Sequence, residues 1–231
     1  MMPPNNHGTE NHRMIHRRLA ALAGLAGLVA LMLPQVAAAH ITATGSGGFT
    51  AGFEHPLSGY DHFLAMFAVG LWGAQMGGRQ VWQLPVTFPL IMVVGGVIGI
   101  LGLPLPGIEI GIALSIVVLG LAIAAGWKPY EWVALAIISV FALYHGYAHG
   151  AELPLAADPA DFAIGFVLAT GMIHVIGVGV GLILEPIRGG QLSRGLGAII
   201  AVVGLGFLAL ALGYLQSQLG FLQGGLSLFG H

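Results

Sequence analysis

The sequence predicts an all-α polytopic membrane protein, with six transmembrane helices after a cleavable signal peptide and both termini outside. Three observations predict it. The chain of 231 residues is 57% hydrophobic and only 7% charged, with mean hydropathy +0.90, whereas a soluble domain carries about 25% charged residues. Six apolar segments follow a short leader, each near the ~20 residues that span a bilayer. The connections between them are short and rich in Gly, Pro and charge, which leaves no room for a soluble domain.

The leader comes first. A polar stretch ends in Arg13, Arg17 and Arg18, then Leu19 to Leu33 is apolar, and Ala37-Ala38-Ala39 follows. A basic n-region, a short h-region and an A-x-A site make a secretory signal peptide, cut after Ala39. The alternative is an uncleaved first membrane helix over Leu19 to Ala39. Cleavage divides the chain into 1–39, a signal peptide, and 40–231, a single six-helix transmembrane domain. His7, His12 and His16 leave with the leader. His40 becomes the new N-terminus, where amine and imidazole together form an N-terminal chelator; an exposed tail residue is the plainer reading.

The six spans are expected at about 57–77, 83–103, 108–126, 131–150, 162–184 and 195–215. The 38 glycines, about twice the usual share of ~7%, predict helices packed closely. There is no cysteine, so a bound metal takes its ligands from His, Asp, Glu, Met or backbone oxygen. No nucleotide motif, basic patch for nucleic acid or catalytic constellation is present. That speaks against an enzyme and against nucleotide or nucleic-acid partners. The partners expected are a divalent metal ion and the lipid bilayer, with a homo-oligomer left open.

Charge sets the orientation. Beyond the leader the basic residues are Arg79, Lys128, Arg188 and Arg194. With the mature N-terminus outside, all four fall in cytoplasmic loops, as the positive-inside rule requires. Glu54, Asp61, Glu109, Glu152, Asp158 and Asp161 then lie at or near the outer face, where they concentrate cations. Acids merely tolerated outside are the bland alternative.

The first span opens on His55-Pro56-Leu57-Ser58-Gly59-Tyr60-Asp61-His62. Ionisable groups in a hydrocarbon-length segment are costly and mark functional sites. With Pro56 as first helical residue, Asp61 and His62 lie roughly 8–9 Å below the outer end. His145 falls at about the same depth, and His149 shares its face four residues on. Glu152 extends that face if the helix continues, Glu109 opens the third span at the rim, and Met66 follows His62 by four. His55, Asp61, His62, Glu109, His145, His149 and Glu152 are therefore the candidate metal ligands. Met66, as a thioether or a core residue, and His174, ~18 Å below the outer end, are candidates for a translocation path; a structural histidine is the alternative for His174. Mixed imidazole and carboxylate without thiolate suits Ni²⁺ or Co²⁺ held reversibly. The competing reading is a network of hydrogen bonds that locks helices together.

The run His55-Pro-Leu-Ser-Gly-Tyr-Asp-His62-Phe-Leu-Ala-Met66 resembles the signature of the HupE/UreJ family of bacterial nickel permeases and hydrogenase/urease accessory proteins. Tyr144-His145-Gly146-Tyr147-Ala148-His149-Gly150-Ala151-Glu152 resembles that family's second motif, F/Y-H-G-x-A-H-G-x-E. The resemblance extends over essentially the whole mature chain. It implies nickel uptake across the bacterial inner membrane, with His55, Asp61, His62, Glu109, His149 and Glu152 as the important polar residues. It also implies Ni²⁺, Co²⁺ or another divalent ion as transported substrate, with no organic cofactor. The expected function is a secondary transporter importing that ion. A membrane metalloenzyme, or a non-conducting sensor or accessory scaffold, built on the same cluster is the alternative.

Overall fold

The computed structural model describes residues 48–151, 153 and 158–228, with side chains through residue 217. The leader, His40 and Glu152 lie outside the described residues. Among those described, every regular element is helical: α1 (Phe49–Ser58), α2 (Tyr60–Met76), α3 (Gln80–Ile100), α4 (Ile108–Ala125), α5 (Glu131–Ala151), α6 (Pro159–Leu184) and α7 (Gln191–Leu228), with a short turn at Ile187–Gly190 before α7. Among the described residues, five helical stretches are long and apolar enough to cross a membrane, namely α3, α4, α5, α6 and Ile187–Ser217.

The beginning differs from the sequence expectation. The helix starts at Phe49, so Pro56 lies inside α1 rather than at its first position. A proline within a helix removes a backbone donor and crowds the turn before it. Three residues on, Gly59 leaves helical geometry at φ −86°, ψ 102°, and α2 restarts as a seventeen-residue helix. The span expected at 57–77 is therefore a broken helix, with His55 before the break and Asp61 and His62 just after it.

Helix faces follow from which residues bury. On α3, Leu84, Phe88, Met92, Gly95 and Gly99 are buried, while Val86, Leu90, Val93 and Val97 on the opposite side are exposed. Spacings of three and four place each set on one face. The exposed apolar side suits lipid, which leaves no polar face to be solvated. Pro85 and Pro89 sit within α3 without ending it.

Glycine sets the closest contacts. In the α3–α5 pair, a Cβ on Gly146 would run into the Met92 carbonyl and one on Gly150 into that of Gly96. The α2–α6 pair repeats this at Gly70 against the His174 carbonyl, and the α4–α7 pair at Gly120 against Ala201. Small residues let membrane helices approach to backbone contact, where dispersion rather than the hydrophobic effect holds them.

The described basic residues, Arg79, Lys128, Arg188 and Arg194, gather at one end of the bundle. There, α4 stops at Gly126, which is left-handed (φ 64°), with Gly126 N and Trp127 N bonded back to Ile123 O and Ala122 O as in a Schellman stop. Carbonyls at a helix end lack intrahelical donors. Gln75 Nε2 donates to Ile123 O at 2.9 Å and Arg194 Nε to Ala124 O at 2.9 Å. Lys128 Nζ lies 3.6 Å from Glu185 Oε1, a half-exposed pair worth about 0–1 kcal/mol. Exposed Trp82, Trp127, Tyr130 and Trp132 cluster at the same end, as aromatic side chains do at a membrane interface.

At the other end, α6 begins with Asp158 as N-cap, accepting from Ala160 N at 2.9 Å and Asp161 N at 3.4 Å, with Pro159 next, where its missing N–H costs nothing. Asp158→Ala is expected to cost about 1 kcal/mol, read as a lower unfolding midpoint of the purified protein in detergent.

Candidate metal site

Four imidazoles meet at the end away from the basic residues. α2 carries His62, whose ring centroid lies 4.8 Å from that of His145 and 4.4 Å from that of His149, both on α5. The i, i+4 spacing turns both α5 rings to the same side. From α1, the His55 ring reaches His149 edge-on, with centroids 4.8 Å apart. One chain segment, broken at Gly59, thus presents both His55 and His62 to the same α5 ring.

Asp61 completes the group. Its Oδ1 accepts from the His62 backbone N at 2.8 Å and lies 2.9 Å from His62 Nδ1. A carboxylate only accepts at neutral pH, so Nδ1 carries the proton and Nε2 holds the lone pair. That is the carboxylate–histidine arrangement that orients a ligating imidazole.

The walls are apolar. Phe166 lies 4.3 Å from the His149 ring centroid, and Phe162 lies 5.8 Å from that of His55. His149 also borders a cavity of about 230 Å³ between α3, α5 and α6, lined by residues such as Met92, Phe162 and Phe166. His145 is fully buried and His149 nearly so. Neither His145 Nδ1 nor either nitrogen of His149 has a hydrogen-bond partner among the described residues. Burying such groups unsatisfied costs of order 1–3 kcal/mol each, and a neutral imidazole has one lone pair that a cation could take.

Other expected residues are placed as follows. Glu109 stands exposed in the first turn of α4. Two residues on, Gly111 packs against Tyr144, beside His145, so Glu109 opens α4 about 3 Å outward of that level. Met66 is completely buried one turn after His62. His174 is buried on α6, one turn after buried Thr170. The Thr170 backbone lies beside its ring, in a geometry short of a hydrogen bond. Among the described residues, no three His, Asp or Glu side chains are already posed around one point as a finished metal site.

Two residues of this region were not singled out in the sequence. Phe88, fully buried on α3, has its ring 5.4 Å from both His145 and His174, and so touches both the imidazole cluster and the α6 histidine. Nothing in a Phe within a long apolar run signals this. Ser115 of α4 bonds His145, with Oγ to Nε2 2.9 Å. Its signal was present: it is the one polar residue between Ile110 and Ala125.

An all-helical, multi-pass membrane protein with imidazoles and a carboxylate clustered inside one end of its bundle is the class that fold and site define. The family model described as HupE / UreJ protein matches residues 28–207, and the chain belongs to that family. It is similar to Protein HupE of Rhizobium leguminosarum bv. viciae, 40% identical over 181 residues, covering 78% of this chain and 94% of that protein. No solved structure matches it.

Proposed function

We propose that the chain is a secondary permease of the bacterial inner membrane that imports Ni²⁺, or a similar divalent transition-metal ion such as Co²⁺. The observation that carries this reading is the meeting of His55, His62, His145 and His149 beside Asp61, with buried ring nitrogens on α5 that have no hydrogen-bond partner among the described residues. Membership of the HupE/UreJ family supports the choice of metal. In this reading the signal peptide is removed after Ala39. The mature chain then crosses six times, the broken α1–α2 being the first crossing, with both termini outside.

The mechanism follows the site chemistry. Outer carboxylates, Glu109 and Glu152 among them, gather the hydrated ion. His55 takes it at the rim, and the lone pairs of His62, His145 and His149 replace its water. Edge-to-face rings that do not yet converge suit a substrate held in passing, since a finished cage would retain it. The ion then passes Phe88 to His174 and on toward the basic end. A broken helix at membrane depth, where backbone can face an ion, is a recurrent feature of transporter sites. An inside-negative potential contributes about 4.6 kcal/mol per 100 mV to a doubly charged ion crossing the whole field.

The test is uptake of radioactive nickel into proteoliposomes, with and without an imposed potential, and with Co²⁺, Zn²⁺ and Mn²⁺ as competitors. Saturable uptake that rises with inside-negative potential is expected. Tight binding without uptake would overturn the permease reading and leave a sensor, a scaffold or a metalloenzyme.

A further inference from the structure

We infer that Ser115 is a positioning residue that holds His145 in the tautomer offering Nδ1 to the metal. The inference rests on the metal-site reading above and adds a residue and a specific ligand atom to it.

The argument is one of proton counting. A serine hydroxyl has a single proton to donate. Ser115 Oγ lies 2.6 Å from Ile112 O, and a carbonyl oxygen cannot donate. Two oxygens that close require the hydroxyl proton between them, in the back-bond that serines make within helices. Oγ is then left only as an acceptor. His145 Nε2, 2.9 Å away, must be the donor. A neutral imidazole has one N–H, so the lone pair falls on Nδ1. That atom is buried and has no hydrogen-bond partner among the described residues.

His62 is set the opposite way. Its Nδ1 is engaged by Asp61, so its lone pair is on Nε2. Two rings 4.8 Å apart thus carry their protons on different nitrogens, each fixed by a different outer partner. A flexible site would have to select both tautomers as the ion arrives. Outer partners that fix a ligating histidine typically change metal affinity 10–100-fold. Ser115 and His145 also join α4 to α5, so a purely structural bond is the rival explanation, and the test must separate the two.

The experiment uses the full chain in detergent, wild type and the variants Ser115→Ala and Ser115→Thr. Nickel binding is measured by calorimetry, and the His145 tautomer by ¹⁵N NMR of histidine-labelled protein, its signals assigned by their loss in His145→Ala. The wild-type signals are expected to be those of an Nε2–H imidazole. Ser115→Ala should weaken nickel binding about 10–100-fold and give a tautomer mixture, with Ser115→Thr restoring both. An Nδ1–H signal in the wild type, or unchanged affinity in Ser115→Ala, overturns the inference. The wild-type spectrum decides the hydrogen bond even if Ser115→Ala does not fold. Failure of nickel to bind the wild type at all overturns the proposed function, and the ligand role with it, while the spectrum still reports the Ser115 bond.

Discussion

Asp61→Asn is expected to lower nickel uptake by about 10–100-fold, and His62→Ala to abolish it, with the amount of protein in the membrane unchanged. Asp61 Oδ1 is bonded twice to the next residue, at its backbone N and its ring Nδ1. Asparagine keeps the shape and one acceptor oxygen but loses the charge that raises the basicity of the imidazole and attracts the ion. It can also turn its amide NH₂ toward the ring and stabilise the wrong tautomer. His62 is in ring contact with both α5 histidines, so deleting it removes the residue that links the rest. Its side chain is 13% exposed and that of Asp61 20%, at the edge of the core rather than within it, so the helices are expected to stay assembled. The measurement is initial uptake rate normalised to protein in the same vesicles. Disappearance of either variant from the membrane would assign the pair to helix locking instead.

The second large effect is on stability. Gly146→Ala should destabilise the protein by about 1–3 kcal/mol, the range for overpacking a close-packed interior, and Gly150→Ala by a similar amount. Each added methyl meets a backbone carbonyl of α3, Met92 and Gly96 respectively, and backbone cannot swing aside as a side chain can. The helices must separate, and His145 and His149 flank these two glycines, so uptake should fall as well. Gly171→Ala and Gly179→Ala are the controls. A Cβ at either position meets nothing within 4 Å, and alanine is favoured over glycine in a helix by ~1 kcal/mol. Thermal unfolding in one detergent should therefore lower the midpoint for the α5 pair and leave it level or raised for the α6 pair. Equal effects at all four positions would sink the idea that backbone contact, rather than glycine itself, matters here.

Much of the architecture was legible in the sequence. Runs of apolar residues as long as Ile108–Ala125, ended by glycine, admit few alternatives to a helix in lipid, because every backbone group must be satisfied within the segment. The spacing of His145 and His149 showed that they share a face, and the segment depths brought His62 to the level of His145. The broken start of the first span was harder to read. Pro56 fits either a helix start or a helix interior, and the choice depends on whether the turn before it has something to pack on. Here it does: Gly52 lies against the Phe162 backbone and Gly165 against that of Phe49.

From the sequence alone follow the all-helical class, the crowding of helices by glycine, the short loops and the set of candidate ligand residues. These depend on composition and on periodicity along one chain, which local physics translates directly. The tertiary structure alone decided which faces meet: that His55 and His62 both reach the His149 ring, that Phe88 touches both His145 and His174, and that a serine in α4 bonds a histidine in α5. Contacts between helices depend on how each is rotated about its axis. In lipid, with no polar solvent face to orient them, that rotation is set by close packing at a few glycines, and those partners are far apart in the chain.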